Sequence, residues 1–203
     1  EMFRFQIIGI FIVLAALISA AIPANAFFKN NFSACKEMIR NFPDSSRPYW
    51  ILGLSYYEMG KFDEAVFHFK EYAARDPRNP FTPDVKRNAM FHHFLGRCYV
   101  KDPDAAIREF QQALRLKPDY LLAYIDLAKA YLLKQDYVQA RRYALAAIKQ
   151  DERAALAYAY AIHASVELGD FAAGQALLTK AKTIAPDDVN IQFAGAFLKE
   201  RSR

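Results

Sequence analysis

The sequence predicts an all-α fold, a right-handed α-solenoid of helix-turn-helix repeats led by an N-terminal transmembrane-like helix. Three observations predict it. Glycine is scarce, at seven in 203 residues, while Ala, Leu, Tyr and Phe are abundant, which favours helices over a sheet-and-turn fold. Small and aromatic residues recur in one pattern along most of the chain. One long apolar run lies near the N-terminus.

Composition sets the class. A hydrophobic fraction of 54% with 24% charged residues is that of a folded chain and not of a disordered one. The net charge is +5, and the basic residues are spread thinly (Lys36, Arg40, Lys61, Arg75, Lys134, Arg141, Lys180), so a solvated basic surface is expected and nucleic-acid binding is not. The same charge is compatible with attraction to anionic lipid headgroups. The two cysteines, Cys35 and Cys98, are too few for a disulfide framework and lack metal-ligand spacing. Both fall in apolar helical patterns and are expected to be buried, unpaired thiols.

Residues 1–28 form the first element. Ile7 to Ile22 is apolar apart from Gly9 and Ser19. Counted from Phe3 the run is about 20 residues, or roughly 30 Å as a helix, which matches a bilayer core. Arg4 precedes it, and Phe27 and Phe28 follow near where an interface would fall. A secretory signal is the competing reading, with Ala24-Asn25-Ala26 in the small-x-small form of a cleavage site. The length of the run favours a retained anchor through residues 3–22. Either way the rest of the chain is expected outside the cytoplasm, at the periplasm or cell surface. The apolar helix near Glu1, ending in Ala20–Pro23, also resembles the N-terminal spine of type IV pilins, although its spacing is longer and Arg4 is foreign to that pattern.

Residues 29–45 read as the second helix of a partial repeat, and residues 46–201 as the solenoid proper, with copies at about 46–79, 89–120, 121–154 and 155–188 and a final helix at 189–201. In the first copy Tyr49, Leu52, Gly53 and Tyr56 are followed by Ala65, Phe69 and Pro77. In the second, His92, Leu95, Gly96 and Tyr99 are followed by Ala106, Phe110, Ala113 and Pro118, with the turn two residues short. Asp102 can cap the helix that follows, and Pro103 suits its first position. The third copy carries Tyr124, Leu127, Ala128, Tyr131, Ala140, Ala144 and Ala147, with Glu152 in place of the proline. The fourth keeps Tyr158, Gly174, Leu178, Ala181 and Pro186 but has Ile162 where a small residue is expected. An insertion, Pro80 to Asn88, reads as a short loop begun by Thr82-Pro83-Asp84 and an N-terminal extension of the helix through Tyr99. Lys199, Glu200, Arg201 and Arg203 lend polar character to the terminal helix.

On these residues the chain resembles the tetratricopeptide-repeat family over residues 30–201, a period of about 34 residues with W-x2-L-G-x2-Y, A-x3-F and P. The resemblance implies partner binding along a concave face lined by the first helix of each copy. Placed on this sequence, that face carries Arg47, Trp50, Leu54 and Tyr57; Met90, His93, Arg97 and Lys101; Leu122, Ile125, Lys129 and Leu132; and Leu156, Ala159, His163 and Val166. Chaperone-binding members clamp a terminal carboxylate with Lys and Asn where Trp50 and Leu54 stand here, so a carboxylate clamp is not expected. Trp50, the only tryptophan, is the expected exposed anchor.

No enzyme, cofactor or metal is expected. The histidines His92 and His93 point to different faces of one helix, and Asp63, Glu64 and Asp126 lie at helix starts or exposed positions. Two functions compete. One is an anchored adaptor in an envelope complex, holding a partner helix or an extended peptide of acidic character. The other is a structural subunit of a filament or large assembly, its N-terminal helix bundled with those of identical subunits.

Overall fold

The structure is a computed structural model, and it describes residues 24–75 and 85–202. Two compact units divide the chain, Glu1–Pro77 and Arg78–Arg203. The apolar run Ile7–Ile22, the anchor assigned to it and the Thr82-Pro83-Asp84 start signal lie outside the described residues.

In the first unit, α1 (Ala24–Asn41) packs on α2 (Arg47–Glu58), which pairs with α3 (Phe62–Arg75). Phe32 meets Tyr56 edge-on at 4.9 Å, and Cys35 is buried in this contact layer. α2 and α3 approach closely because Gly53 has no side chain. A Cβ there would come within 2.6 Å of the Phe69 ring, and Phe69 is fully buried. Burying a side chain of that size contributes about 2–3 kcal/mol.

The second unit runs α4 (Val85–Cys98), α5 (Pro103–Leu116), α6 (Leu121–Leu133), α7 (Tyr137–Gln150), α8 (Ala155–Glu167), α9 (Phe171–Ile184) and α10 (Val189–Arg201). Consecutive helices pair, and α6 also touches α4 and α8, so first helices form an inner layer and α5, α7 and α9 an outer one. α4 begins at Val85, ahead of the repeat start at Ala89, as the extension reading of the insertion expects.

The turns repeat a device that the sequence shows only in part. Asp102, Asp136 and Asp170 each accept the backbone N–H three residues on, from Ala105 at 2.9 Å, Gln139 at 3.1 Å and Ala173 at 3.1 Å. Each such cap contributes about 1 kcal/mol. The residue before two of these caps takes a left-handed conformation, Gln135 at φ 60° and Gly169 at φ 75°, as does Gly60 at φ 71° in the first unit.

Close approach is solved differently along the unit. Gly96 faces Phe110, where a Cβ would lie 2.6 Å from the ring. The third copy meets through Ala128, Ala140, Ala144 and Ala147, all fully buried, and Tyr131 stacks on Tyr143 at 5.4 Å. In the fourth copy Ile162 is accommodated in full burial, while Gly174 leaves room for Leu198 of α10. The terminal helix exposes Lys199, Glu200 and Arg201 at its end, and with them two apolar side chains: Phe193 is 72% exposed and Val189 is also exposed.

Candidate functional site

The inner layer of the second unit is built around one carboxylate. Asp126, in the first turns of α6, lies with Oδ2 2.8 Å from His93 Nε2 and 3.8 Å from Arg97 Nε, both on α4. His93 is 2% exposed, so its ring nitrogens need partners. When Nε2–H donates to Asp126, Nδ1 accepts from the Tyr120 hydroxyl, 3.2 Å away. Burial, then the charge of Asp126, raises the pKa of Tyr120. The same two causes raise that of Tyr160 on α8. Both phenols are therefore held as O–H groups around the carboxylate. The cluster is a polar tie among the inner helices.

This corrects several assignments. His93 is enclosed beneath the face and is not part of a basic centre on it, because a desolvated imidazole must be hydrogen-bonded. Ile125 belongs to the hydrophobic core with Ala128 and Tyr158. Val166 is in that core too, and Leu156 and Ala159 pack against it. Asp126, expected at an exposed helix start, is a half-buried acceptor.

The exposed remainder of the face is Met90 and Arg97 on α4, Lys101 just beyond it, and Leu122 and Lys129 on α6. Leu132 is partly buried. His163 on α8 packs on Phe197 of α10 at 4.6 Å, with Nε2 3.9 Å from Glu167, whose carboxylate also lies 3.4 Å from Arg201. Burial lowers the basicity of His163, more than Glu167 raises it.

In the first unit Arg47 is exposed and Leu54 and Tyr57 are half-buried. Trp50 is also half-buried. Its ring lies 5.3 Å from Phe69 and 5.2 Å from Tyr72, two of the most buried rings of the unit. The structure thus places Trp50 as the lid on an aromatic core and not as a freely projecting anchor. Tyr57 sits 5.9 Å from Phe62.

Sequence reasoning missed Asp126, Tyr120 and Tyr160 as a group. Their signal was available: an acidic residue on the inner helix one repeat after a histidine at an inward position. Among the described residues no group of His, Cys, Asp and Glu could hold a metal ion, and no helix is long and apolar enough to cross a membrane. Cys35 and Cys98 are free and buried; burial pushes Cys98 up to about 12, which keeps it an inert thiol.

Paired helices with small residues at the crossing, stacked in two layers, define a protein built of helical repeats. The tetratricopeptide repeat model matches residues 46–79, and a second model of the same description matches residues 99–157. The chain carries tetratricopeptide repeats in a tetratricopeptide-type solenoid. Solved structures share the fold. MamA aligns with a TM-score of 0.69 at 21% identity, over 78% of this chain and 89% of its own. YrrB, a TPR protein with an unusual peptide-binding site, aligns at 0.70 and 18% identity, over 90% and 88%. The first TPR of Spaghetti, bound to an HSP90 peptide, aligns at 0.52 and 18%, over 57% and 91%. No curated protein matches the sequence.

Proposed function

We propose that the chain is a non-enzymatic interaction scaffold whose second unit holds an extended or helical segment of a partner protein bearing negative charge. One observation carries this reading: Arg97 and Lys129 are exposed on successive inner helices, each two turns after an exposed apolar side chain, Met90 and Leu122. Apolar surface supplies binding energy, and the flanking cations select an acidic partner. Two proteins of similar fold support the mode, YrrB with its peptide-binding site and the Spaghetti repeat domain bound to a peptide. The apolar run Ile7–Ile22 supports membrane anchoring, with the repeats outside the cytoplasm as an adaptor of an envelope complex. The test is co-purification from native membranes with the wild-type chain and with Lys129→Glu. A bound acidic partner should be retained by the first and weakened about tenfold or more in the second. Equal retention by both would reject the inner face.

A second reading, self-assembly, is favoured by α10, where Val189 and Phe193 are exposed one helical turn apart on the terminal helix. Sedimentation of the wild-type chain and of Phe193→Ser separates it: an assembly that dissociates only in the variant supports it, and identical profiles oppose it.

A further inference from the structure

The outer layer of the second unit has a charge pattern that partner binding on the inner face does not use. α7 and α9 contain no acidic residue at all, and α5 contains two, Asp104 and Glu109. Both are already engaged: Asp104 pairs with Lys134, and Glu109 lies 2.6 Å from His92 Nδ1. Of the cations on these helices, Arg141 is held by Asp170 at 2.9 Å and Lys180 by Glu152 at 3.1 Å. Arg108, Arg115, Arg142, Lys149 and Lys182 are exposed and have no carboxylate partner among the described residues.

On α7, the middle helix of the three, the exposed stripe runs Val138, Arg142, Leu145, Lys149, at spacings of one helical turn. Val138 is 60% exposed and Leu145 43%. Aliphatic side chains between cations give a nucleic acid nothing to stack on. At a bilayer surface they enter the acyl boundary while the long cationic side chains reach the phosphates.

From this placement we propose that the outer face centred on α7 docks on an anionic lipid surface, through Arg142 and Lys149 with Arg108, Arg115 and Lys182 in support, and with Val138 and Leu145 as shallow insertion points. Such docking is weak per residue, additive over the basic side chains and screened by salt. It leaves the inner face open to a protein partner.

The test is flotation of the full chain with phosphatidylcholine vesicles and with phosphatidylcholine vesicles containing phosphatidylglycerol. The expected result is extra binding to the anionic vesicles that disappears at high salt. In Arg142→Glu/Lys149→Glu the extra binding should fall by about tenfold or more. It should fall several-fold in Val138→Ser/Leu145→Ser and remain unchanged in Lys129→Glu, with helical circular dichroism intact throughout. Equal partition into both vesicle types, insensitive to salt and to the outer-face variants, would assign lipid binding to the N-terminal apolar run and overturn the proposal. So would an anionic increment retained in Arg142→Glu/Lys149→Glu. Binding of a short RNA that depends on Arg142 and Lys149 but not on Val138 and Leu145, with no anionic vesicle increment, would overturn it in favour of nucleic acid. Failure of Lys129→Glu to weaken partner binding would leave this result untouched, so the two faces are tested separately.

Discussion

Gln135 occupies a backbone conformation that Gly60 and Gly169 supply at the equivalent turns, and a side chain there costs about 1–2 kcal/mol. Part of that is recovered because glycine loses more freedom on folding. Gln135→Gly should therefore stabilise the chain by about 0.5–1 kcal/mol, a rise of roughly 2 °C in melting temperature; a fall would mean the side chain makes a compensating contact. His68 sets a pH limit. Its ring stacks on Tyr56 at 5.0 Å, its Nδ1 is buried with no hydrogen-bond partner, and burial lowers its basicity against the smaller opposing effect of Glu71. The unfolded chain takes up a proton below about pH 6.5 while folded His68 resists it. Its contribution is therefore complete above that pH and is lost as pH falls through the lowered folded value. His163 adds in the same direction. In His68→Phe, which keeps the stacked ring, melting temperature should fall less between about pH 7 and about pH 5 than in the wild type. Identical slopes would show that His68 is not a source of acid sensitivity.

At the level of elements, the helices and their turns were legible because their determinants are local. Asp102-Pro103 announces both a cap and a first helical residue, and the structure uses it as such. The small residues Gly53 and Gly96 were legible as crossing points because each follows a leucine on the first helix of its copy and faces a buried phenylalanine of the second, Phe69 and Phe110. Their effect is now measurable. In Gly96→Ala the new Cβ meets Phe110 at 2.6 Å and 2.8 Å, so the ring must shift. Overpacking costs about 1–3 kcal/mol and outweighs the gain of about 1 kcal/mol from replacing a helical glycine. Net destabilisation is expected by denaturant melts, with Gly53→Ala alike. Gly195→Ala, whose Cβ would meet only the far end of the Leu178 side chain at 3.3 Å, should be milder. Equal effects at the three positions would show that helix propensity governs them. The charges at 199–201 are exposed as expected, but they say nothing about Phe193, whose exposure depends on what α10 packs against.

For the molecule as a whole, the repeat architecture was legible and the site only half so. Register places Arg97, Lys129, His93 and Ile125 on one face, but whether a residue on that face is open depends on the next inner helix. Asp126 draws His93 inward, and that pairing joins positions far apart in sequence. Trp50 is drawn onto the aromatic core for a like reason, since Phe69 and Tyr72 come from the other helix of its copy. The outer-layer charge balance was hidden because basic residues counted over the chain look dispersed, and only the folded layers bring the acid-free helices together.

The one-sided seating of α10 sets how the second unit opens. α6 has α4, α5, α7 and α8 around it, whereas α10 rests only on α8 and α9, beyond which the described chain supplies nothing. Stacked repeats exchange stability with nearest neighbours alone, so the end member opens independently of the middle. Backbone amides of α10 should trade hydrogen for deuterium fastest and those of α6 slowest, with α8 between. A uniform rate across the three would mean that the unit opens as a single cooperative block. A graded rate would mean that its last helix spends part of its time detached, periodically uncovering Leu178 and Gly174 to whatever lies nearby.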